Sequence, residues 1–462
     1  MWIGYHRSHE ASVVAIDDAG RPLHAIAEER LSRVKMQGGW PRLAAAWLEE
    51  RTGLDGASLV HGGLPLAKRF PRELQLAWWN ATHGRLQDVH PKRLRKLTDV
   101  AFGKTRASEA AVFPGRERTH VDHHTCHAAS AYFPSGFDEA EVVTVDGVGD
   151  AYSSRFFHGK GGRLEPRAAH FHTAFPLGHN YEFVTTLLGF HPHRHAGKVT
   201  GLAGHGRVEP RLVALLDAWT DEIWSARRGR PYFFMLHSQH GSTAGDPAFT
   251  EAVRELRETR QKRFGDWSDA EIAAGIQHIL EREVARLIAA NVPRIEGQPI
   301  ALAGGVFANV KLNKLVKEMG FGKIFVQPAM GDAGLAFGAP LQALAEKQGG
   351  LAPYRLENVY LGSEADDAAI ERALREAGLP VRRFDPVEPE IARLLADGRV
   401  VARFNGRMEF GPRALGNRSI LYHCAAPDVN DWLNKRLGRT EFMPFAPATL
   451  EDEAEASFLG LE

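Results

Sequence analysis

The same order of strands and polar turns occurs twice in this chain of 462 residues. The first copy lies within residues 3–27 and the second within residues 141–172. Each has apolar, strand-like runs separated by turns rich in Gly and Asp. A repeated supersecondary plan of this kind predicts an internal duplication. We therefore expect an α/β protein with two similar halves and a cleft between them.

A chain of this size is too long for a single hydrophobic core, so we expect more than one domain. The two halves resemble the plan of actin and sugar kinases, in which hairpin loops from both halves face bound nucleotide phosphates. We expect this duplicated, actin-like domain to occupy residues 1–352, with a helical insertion at about 209–292. Residues 353–388 are expected to form a linker, and residues 389–462 a smaller α/β domain.

Composition excludes several classes of partner. Lys plus Arg and Asp plus Glu each number 57, so no net field favours nucleic acid or an anionic membrane. No apolar run is long enough to span a bilayer, and the amino terminus lacks the apolar core of a signal peptide. The two cysteines, Cys126 and Cys424, are far apart in sequence, which fits a reducing compartment. We expect a cytoplasmic protein with no nucleic-acid or membrane partner.

Two histidines and a nearby carboxylate suggest a metal site. His123 and His127 are four residues apart in an Ala-rich segment, so on a helix both imidazoles project from one face. Asp146 follows the β-branched run 142–145, which predicts a buried strand with a carboxylate at its carboxyl end. Imidazole and carboxylate ligands suit iron, manganese or zinc. Histidines at this spacing are also common on ordinary helices, so the spacing alone leaves both interpretations open.

Two glycine-rich turns follow apolar strands in the second half. The strand-like run from Ile300 ends in Gly304 and Gly305 and leads into a helical segment. Such a turn lets backbone N–H groups and the helix amino terminus approach a ligand closely. A similar turn places Asp332 at the start of an Ala-rich helix. Asp332 is either a ligand or only a helix N-cap, and the local sequence allows both.

An arginine-rich loop marks the carboxyl-terminal part of the chain. Residues 403–418 contain four arginines with glycines between them. Arginine binds phosphate or carboxylate with two parallel hydrogen bonds, so this cluster predicts an anionic ligand. Phe404, Phe410 and Leu415 would anchor the loop and aim its arginines. A solvated basic loop is the alternative interpretation.

A series of segments, read in order, resembles the NodU/CmcH family of O-carbamoyltransferases. The resemblance covers nearly the whole chain, and it depends on the set of segments rather than on any one of them. The segments are residues 9–12, 28–35, 123–132, 197–203, 304–306 with Asn309, 331–334 and 409–419.

The resemblance implies an amino-terminal domain similar to the Kae1/TsaD threonylcarbamoyl-transfer domain and a carboxyl-terminal domain similar to YrdC. In such enzymes the YrdC-like domain uses ATP, with Mg2+, and carbamoyl phosphate to make carbamoyl-adenylate. The Kae1-like domain then passes the carbamoyl group to a hydroxyl. The implied acceptor is a small hydroxylated metabolite of the antibiotic, sugar or nodulation-factor type.

The same resemblance implies the site residues. His9 lies where the family places a residue beside the acceptor hydroxyl, and an imidazole there is a sensible general base. The metal, Fe2+ or another divalent ion, would be held by His123, His127, Asp146 and Asp332. The residues expected to bind the nucleotide or carbamoyl-adenylate are Lys35, Lys198, Gly304, Gly305 and Asn309, and those expected to bind carbamoyl phosphate are Arg413 and Arg418.

Two departures from the family pattern concern the carboxyl-terminal domain. Met443 stands where family members have a phosphate-facing arginine, and methionine cannot bind an anion. Lys435, Arg436 or Arg439 could compensate. The chain also stops at Glu462, whereas family members continue for roughly another hundred residues, about the size of a small domain. We expect an incomplete YrdC-like domain; a second subunit that completes it and a homodimer are both compatible with the sequence.

Two other functions remain open. The chain could be a transfer-only or non-catalytic nucleotide-binding subunit with a degenerate adenylation domain, which Met443 favours. It could also be an enzyme like the tRNA threonylcarbamoyltransferases, although zero net charge and the fused carboxyl-terminal domain with its Arg-Ala-Leu-Gly segment argue against a tRNA substrate. Metal content and ATP–pyrophosphate exchange dependent on carbamoyl phosphate separate the three functions.

Overall fold

The structure is a computed structural model that describes residues 1–7, 9–84, 112–225, 247–424, 429–438 and 445–461. Met443 and Arg439, which bear on the predicted phosphate site, lie outside these residues. In the described parts of the chain, no helix has the length and apolar character needed to cross a membrane.

Two five-stranded mixed sheets form the framework of the protein. The first contains β1 (Trp2–His6), β2 (Ser12–Ile16), β3 (Pro22–Ala27), β4 (Ser58–Gly62) and β5 (Arg118–Val121). The second contains β6 (Glu139–Gly149), β7 (Tyr152–Lys160), β8 (Arg163–Phe171), β9 (Pro299–Ala303) and β10 (Lys323–Val326). β1 and β2 consist almost entirely of apolar residues, and both strands are buried along their whole length.

Both sheets have the same topology. The strand orders are β3-β2-β1-β4-β5 and β8-β7-β6-β9-β10. In each sheet the first three strands form an antiparallel meander, and the first strand also pairs in parallel with the fourth. The fourth strand then pairs in parallel with the fifth. This shared connectivity confirms the internal duplication that the sequence predicted.

The described α-helices fall into three groups. Those of the first half are α1 (Glu28–Ser32), α2 (Arg42–Thr52), α3 (Leu66–Thr82) and α4 (His123–Tyr132). Those of the second half are α5 (Leu177–Leu187), α6 (Ala196–Ala203), α7 (Pro210–Trp224), α8 (Pro247–Phe264), α9 (Asp269–Asn291), α10 (Val310–Glu318) and α11 (Leu335–Gln348). The carboxyl-terminal part contains α12 (Asp367–Glu376), α13 (Glu388–Ala396), α14 (Val429–Arg436) and α15 (Ala454–Ser457).

Two central helices are exchanged between the halves. α4 follows the last strand of the first sheet but packs on β6 and β9 of the second sheet. α11 follows the last strand of the second sheet but packs on β1 and β4 of the first, and the two helices contact each other. Gly338 allows this contact, since a Cβ atom there would lie 1.7 Å from the carbonyl oxygen of Cys126. One apolar core therefore runs from sheet to sheet through both helices.

Three helices occupy the stretch in which the sequence predicts a helical insertion. α7, α8 and α9 lie between residues 210 and 291, with residues 226–246 outside the described chain. α9 begins with a capping box, in which the Ser268 hydroxyl accepts from the Glu271 N–H and the Glu271 carboxylate accepts from the Ser268 N–H. The apolar face of α9 packs with α7 and with the second sheet in one cluster.

The carboxyl-terminal part begins with a segment bound to the first half. The N–H groups of Tyr354 and Leu356 donate to the carbonyls of Phe133 and Pro134, at 2.7 and 2.9 Å. The start of the predicted linker is therefore tied to the end of α4. Further along, β11 (Val401–Phe404) and β12 (Arg418–Leu421) form a two-stranded antiparallel sheet. The domain boundaries and the YrdC-like character of this part stay predictions.

Candidate active site

Four side chains from separate segments converge at the centre of the protein. Candidate ligand atoms of His123, His127, Asp146 and Asp332 all lie within 4.8 Å of one another. The Nε2 atoms of His123 and His127 lie 3.2 and 3.1 Å from Asp146 Oδ2. The same two nitrogens lie 3.5 and 3.6 Å from Asp332 Oδ1. Both imidazoles therefore present the same nitrogen to two carboxylates, as the helical spacing of the histidines predicted.

The exchange of the central helices brings these four residues together. His123 opens α4, and Asp332 opens the short 3-10 turn Asp332–Gly334 that leads into α11. Asp146 lies in β6 just beyond Thr144, which pairs with the last residue of β9. α11 has Gly334 as its N-cap and no side-chain capping bond. The carboxylate of Asp332 faces the two imidazoles, and its role as a metal ligand stays a prediction.

The amino terminus of α4 is held by a buried ion-pair network. Asp122 caps the helix, since its Oδ1 atom accepts from the Thr125 N–H at 2.9 Å. Arg155 also donates to Oδ1, at 2.7 Å, and Arg72 donates to Oδ2. Burial alone would raise the pKa of Asp122, but Arg155 and Arg72 lower it well below its usual range. The ionised carboxylate thus fixes the helix turn that carries His123.

Gly149 sets the position of the His123 ring from the other side. A Cβ atom on Gly149 would lie 2.0 Å from His123 Cδ2, so any side chain at position 149 would displace the imidazole. Gly149 is the last residue of β6, three residues after Asp146. The strand that supplies one carboxylate therefore also shapes the space for one imidazole.

Electrostatics keep both carboxylates ionised. Burial alone would lower the pKa of His123, but the charges of Asp332 and Asp146 raise it to about 9. Burial likewise opposes the charge on His127, whose pKa is raised by hydrogen bonds to Asp146 and Asp332. The pKa values of the two carboxyl groups are lowered by these imidazoles, against the cost of burial. Ionised carboxylates are the form that binds a metal cation.

His6 lies against the same cluster, and the sequence analysis missed it. Its Nδ1 atom is 2.7 Å from the Gly62 carbonyl, which only accepts, so Nδ1 carries a proton. Its buried Nε2 atom lies 3.4 Å from Asp332 Oδ2 and makes no hydrogen bond to any described residue. In the neutral ring, two acceptors then face each other, which indicates that a cation or a proton belongs between them. The donor set therefore fits a divalent metal ion.

A simple rule would have found His6. It is the last residue of β1, a parallel neighbour of β4, and polar residues at the carboxyl ends of such strands commonly line ligand clefts. His9 follows on the next turn, where its Nδ1 atom lies 3.6 Å from Asp332 Oδ2 and its side chain is 31% exposed. His9 is thus the partly exposed histidine beside the buried cluster.

His124 faces away from the centre. Its Nδ1 atom lies 2.9 Å from the Thr144 hydroxyl and its Nε2 atom 3.1 Å from the Tyr152 carbonyl. Burial, and after it the charge of His123, lowers the pKa of His124 to about 3. The ring therefore stays neutral and ties α4 to the second sheet.

The glycine turn at residues 304–305 adjoins Asp146. Gly304 has a φ of 104°, and a Cβ atom there would lie 2.2 Å from the Val145 carbonyl oxygen. A Cβ atom on Gly305 would lie 3.2 Å from Asp146 Oδ1. The two glycines thus leave the backbone close to the carboxylate, as a ligand-binding turn requires.

Asn309 is engaged within the fold. Its Oδ1 atom accepts from the Leu312 N–H at 3.1 Å and caps α10, and its Nδ2 group donates to Gln277 at 2.7 Å. Tyr181 donates to the same Gln277 oxygen at 3.0 Å. This buried network joins the glycine turn to α5 and α9. A direct contact between Asn309 and a nucleotide stays a prediction.

Lys35 and Lys198 are both predicted to bind the nucleotide. Burial lowers the pKa of His195, and the positive charges of Lys198 and then Lys35 lower it further. Lys35 is exposed, and the Lys198 ammonium lies 5.5 Å from the centre of the Phe190 ring. Both lysine charges therefore act on His195, and their contact with a nucleotide stays a prediction.

The two arginines predicted to bind carbamoyl phosphate have different surroundings. Arg418 donates to the carbonyls of Asn405 and Ser363, at 2.8 and 3.1 Å, and its guanidinium stacks over Phe404. These contacts hold the loop in shape. Arg413 is exposed on the same loop, and its role and that of Arg418 in phosphate binding stay predictions.

The fold and the site together define a duplicated α/β protein with a candidate metal centre between its halves. Comparison with known proteins is consistent with this definition and more specific. The family model described as "Carbamoyltransferase N-terminus" matches residues 96–341, and the model described as "Carbamoyltransferase C-terminus" matches residues 392–461. The chain belongs to the carbamoyltransferase family.

Relatives with descriptive names are nodulation proteins. The chain is similar to nodulation protein NolNO of Sinorhizobium fredii, with 32% identity over 97% of this chain and 64% of that protein. Nodulation protein NolO of Bradyrhizobium diazoefficiens is 32% identical over 73% of this chain and 60% of its own length. The Synechocystis protein sll1178, which is uncharacterised, is 35% identical over 96% of this chain and 74% of its own. The chain thus spans less than two thirds of both nodulation proteins.

Solved structures are more distant. Component A of the Acidaminococcus fermentans (R)-2-hydroxyglutaryl-CoA dehydratase aligns with 75% of this chain at 12% identity and a TM-score of 0.39. HypF of T. kodakarensis aligns with 75% of this chain at 15% identity and a TM-score of 0.35. Neither likeness is close enough to assign a function.

Proposed function

We propose that this protein is an O-carbamoyltransferase that moves a carbamoyl group to a hydroxyl of a small metabolite. The observation that carries the proposal is the buried cluster of two imidazoles and two carboxylates at the meeting point of the exchanged helices. All four side chains lie within the part of the chain that matches the carbamoyltransferase amino-terminal model. Family membership supports the reaction class, and the cluster supports its location.

The cluster is proposed to hold one divalent ion, Fe2+ in the first instance. His123, His127, Asp146 and Asp332 would be its ligands, because their donor atoms converge and mixed imidazole and carboxylate sets suit this type of metal. A bound ion would supply a Lewis acid for the carbamoyl carbonyl. Asp122 and Gly149 would keep the ligands in place from either side of His123.

The carbamoyl donor is proposed to be carbamoyl phosphate, activated with ATP and Mg2+ as carbamoyl-adenylate. Three features support an anionic ligand. The charges of Lys35 and Lys198 both act on His195, the turn at Gly304 and Gly305 leaves backbone beside Asp146, and Arg413 is exposed on the arginine-rich loop. We assign the lysines and the glycine turn to the nucleotide, and Arg413 to carbamoyl phosphate.

His9 is proposed to contact the acceptor hydroxyl and to accept its proton. Its ring adjoins Asp332 and is partly exposed, so an acceptor can reach it. A general base must lie within hydrogen-bond reach of the hydroxyl that it activates. A hydroxyl bound at the edge of the cluster beside His9 would meet that requirement.

The test is a transfer assay with labelled carbamoyl phosphate. Purified protein, loaded with Fe2+ without oxygen, is incubated with ATP, Mg2+ and a panel of monosaccharides, oligosaccharides and aminoglycosides. Labelled, carbamoylated product that requires ATP supports the proposal. Lack of product with every acceptor, from both carbamoyl phosphate and supplied carbamoyl-adenylate, would refute it.

A transfer-only enzyme is the second candidate, and Arg418 favours it. In the described structure its guanidinium is bonded to backbone carbonyls instead of facing an open site. Exchange of labelled pyrophosphate into ATP, dependent on carbamoyl phosphate, measures adenylation directly. Transfer from supplied carbamoyl-adenylate without this exchange would establish the transfer-only activity, and exchange by the chain alone would exclude it.

A further inference from the structure

A row of exposed apolar side chains runs along the outer face of α3. Phe70, Leu74 and Trp78 are four residues apart, so they lie on one side of the helix, and they are 45%, 55% and 69% exposed. Apart from Lys68 in the first turn, the other exposed residues of α3 are uncharged: Ala67, Pro71, Gln75, Ala81 and Thr82. The outer face of a surface helix usually carries charged and polar residues. This apolar row therefore marks a contact surface.

The inner face of α3 ties the helix to both halves of the protein. Arg72 donates to Asp122, the residue that caps α4. Nearer the end of α3, Asn80 accepts from the Thr173 hydroxyl at 2.6 Å. Leu76 lies between these contacts and is fully buried. α3 therefore presents the apolar row from a fixed position, and a partner that binds there orders little further backbone.

The apolar row is symmetrical about Leu74. One aromatic residue lies four positions before it and another lies four positions after it. If two copies of α3 pack antiparallel with Leu74 of each at the centre, Phe70 of one copy meets Trp78 of the partner subunit. Aromatic pairs of this kind add to the gain from apolar burial. The row thus complements itself across a twofold axis.

The charges at the ends of α3 also favour an antiparallel partner. The first turn contains Lys68 and Arg69 and no acidic residue, and the last turn contains no basic residue. Within one chain these charges oppose the helix dipole, whose positive end is at the amino terminus. In an antiparallel pair centred on Leu74, Lys68 lies beside the carboxyl-terminal turn of the other α3, where a cation is favourable. A second copy therefore supplies the compensation that the helix lacks within its own sequence.

We propose that the outer face of α3 is an interface between two copies of this chain, which pack antiparallel through the apolar row. The symmetry of the row and the charges at the helix ends favour a second copy over an unrelated partner. The three side chains expose roughly 300 Å² of apolar surface, less than the roughly 800 Å² that each partner covers in an interface of standard size. We therefore expect a reversible dimer with a Kd of roughly 1–100 μM. This inference does not depend on the proposed carbamoyl transfer.

Sedimentation equilibrium at protein concentrations below and above this Kd measures the pairing. Wild-type protein should change from monomer to dimer as its concentration rises. Leu74→Glu places two like charges at the centre of the interface and should weaken dimerisation by at least about 100-fold. Leu379 provides the matched control, because it is a leucine of nearly equal exposure, 56%, elsewhere on the chain. Leu379→Glu should dimerise like the wild type.

Cross-linking tests the antiparallel geometry directly. Leu74→Cys is made in a Cys424→Ser protein, because Cys424 is exposed whereas Cys126 is buried. The two introduced thiols lie at the twofold axis, so a short bis-maleimide should join two chains in high yield. Leu379→Cys in the same background should give little joined product. This experiment also decides the matter if Leu74→Glu does not fold.

Other results would overturn the inference. Wild-type protein that stays monomeric well above the expected Kd would exclude the dimer. A dimer that Leu74→Glu leaves intact, or that Leu74→Cys does not join, would place the interface on another surface. A monomeric wild type whose Tm falls in Leu74→Glu but not in Leu379→Glu would show that the same chain covers the apolar row.

Discussion

At the scale of single residues, the candidate centre brings negatively charged carboxylates against imidazoles. A buried carboxylate, Asp332, and a partly buried one, Asp146, lie within reach of two imidazoles, and they raise the pKa of His123 to about 9. At neutral pH a divalent ion must therefore displace protons from the imidazoles when it binds, and binding should weaken as the pH falls. His6 and His9 add two more imidazoles next to Asp332. This concentration of donors makes the centre sensitive to single substitutions.

Replacement of His127 tests the metal assignment. His127 has no exposed side-chain surface, and its Nε2 atom faces both carboxylates. We expect wild-type protein to bind about one divalent ion per chain, and His127→Ala to weaken binding by at least tenfold, of the order seen when metal-site residues are lost. Elemental analysis after loading and desalting gives the result. His205→Ala should bind like the wild type, and unchanged occupancy in the His127 variant would remove this residue from the site.

Replacement of His9 tests its proposed role as the general base. His9→Asn keeps a polar side chain at the same place but cannot take up the hydroxyl proton. Transfer from supplied carbamoyl-adenylate should slow by roughly 100-fold, the usual contribution of a general base, while metal content stays the same. Equal transfer rates in the two proteins would assign the proton to another group. A variant that also lost its metal would show instead that His9 supports the centre through Asp332.

At the scale of elements, the success of sequence reasoning depended on whether the signal was local. The spacing of His123 and His127 and the strand before Asp146 are local patterns, and both predicted their elements correctly. The contact between Glu182 and His193 depends on how a loop closes over α5, which no periodicity encodes. The contacts of Arg418 were likewise not predictable from local sequence. The fold of the loop directs its guanidinium to backbone carbonyls, and its role in anion binding stays a prediction.

The cap of α4 provides a stability prediction at this scale. Asp122→Asn keeps an oxygen that can cap the helix but leaves Arg72 and Arg155 without their buried counter-charge. We expect a loss of about 3 kcal/mol in the free energy of unfolding, as when one partner of a buried pair is removed. The exposed pair of Glu371 and Arg375 gives the control, and Glu371→Gln should cost less than about 1 kcal/mol.

The loss of unfolding free energy in Asp122→Asn should become smaller at acid pH. The arginines lower the pKa of Asp122 in the folded state, below the value of about 3.9 in the unfolded chain. The stabilisation is therefore complete above that value and is lost as the pH falls through the folded pKa. In urea unfolding, the difference in the free energy of unfolding between wild type and Asp122→Asn should be the same at pH 7 and at pH 5, and smaller below about pH 4. If this difference stays constant below pH 4, the charge of Asp122 is not its cause.

At the scale of the whole molecule, the centre lies where the two halves are joined. α4 carries His123 and His127 onto the second sheet, and α11 packs on the first sheet just after Asp332. Each half thus contributes a helix to the other, and the amino-terminal ends of both helices lie at the cluster. A ligand held by all four side chains would link both helices and both sheets. Its binding energy would then stabilise the duplicated fold as a unit.

Thermal unfolding with added metal tests this link. An ion that binds the folded chain at four convergent donors, and the unfolded chain weakly, stabilises the protein by about 2.7 kcal/mol at a free concentration one hundred times its Kd. The Tm of the wild-type protein should therefore keep rising with the logarithm of the Fe2+ concentration, or of Mn2+ when oxygen is present. His127→Ala, which lacks one donor, should need at least tenfold more metal for the same rise. An equal rise in both proteins would place the stabilising ion elsewhere on the chain. A Tm that does not respond in the wild type would mean that the four donors hold no ion, and that imidazole–carboxylate pairs alone join the two halves.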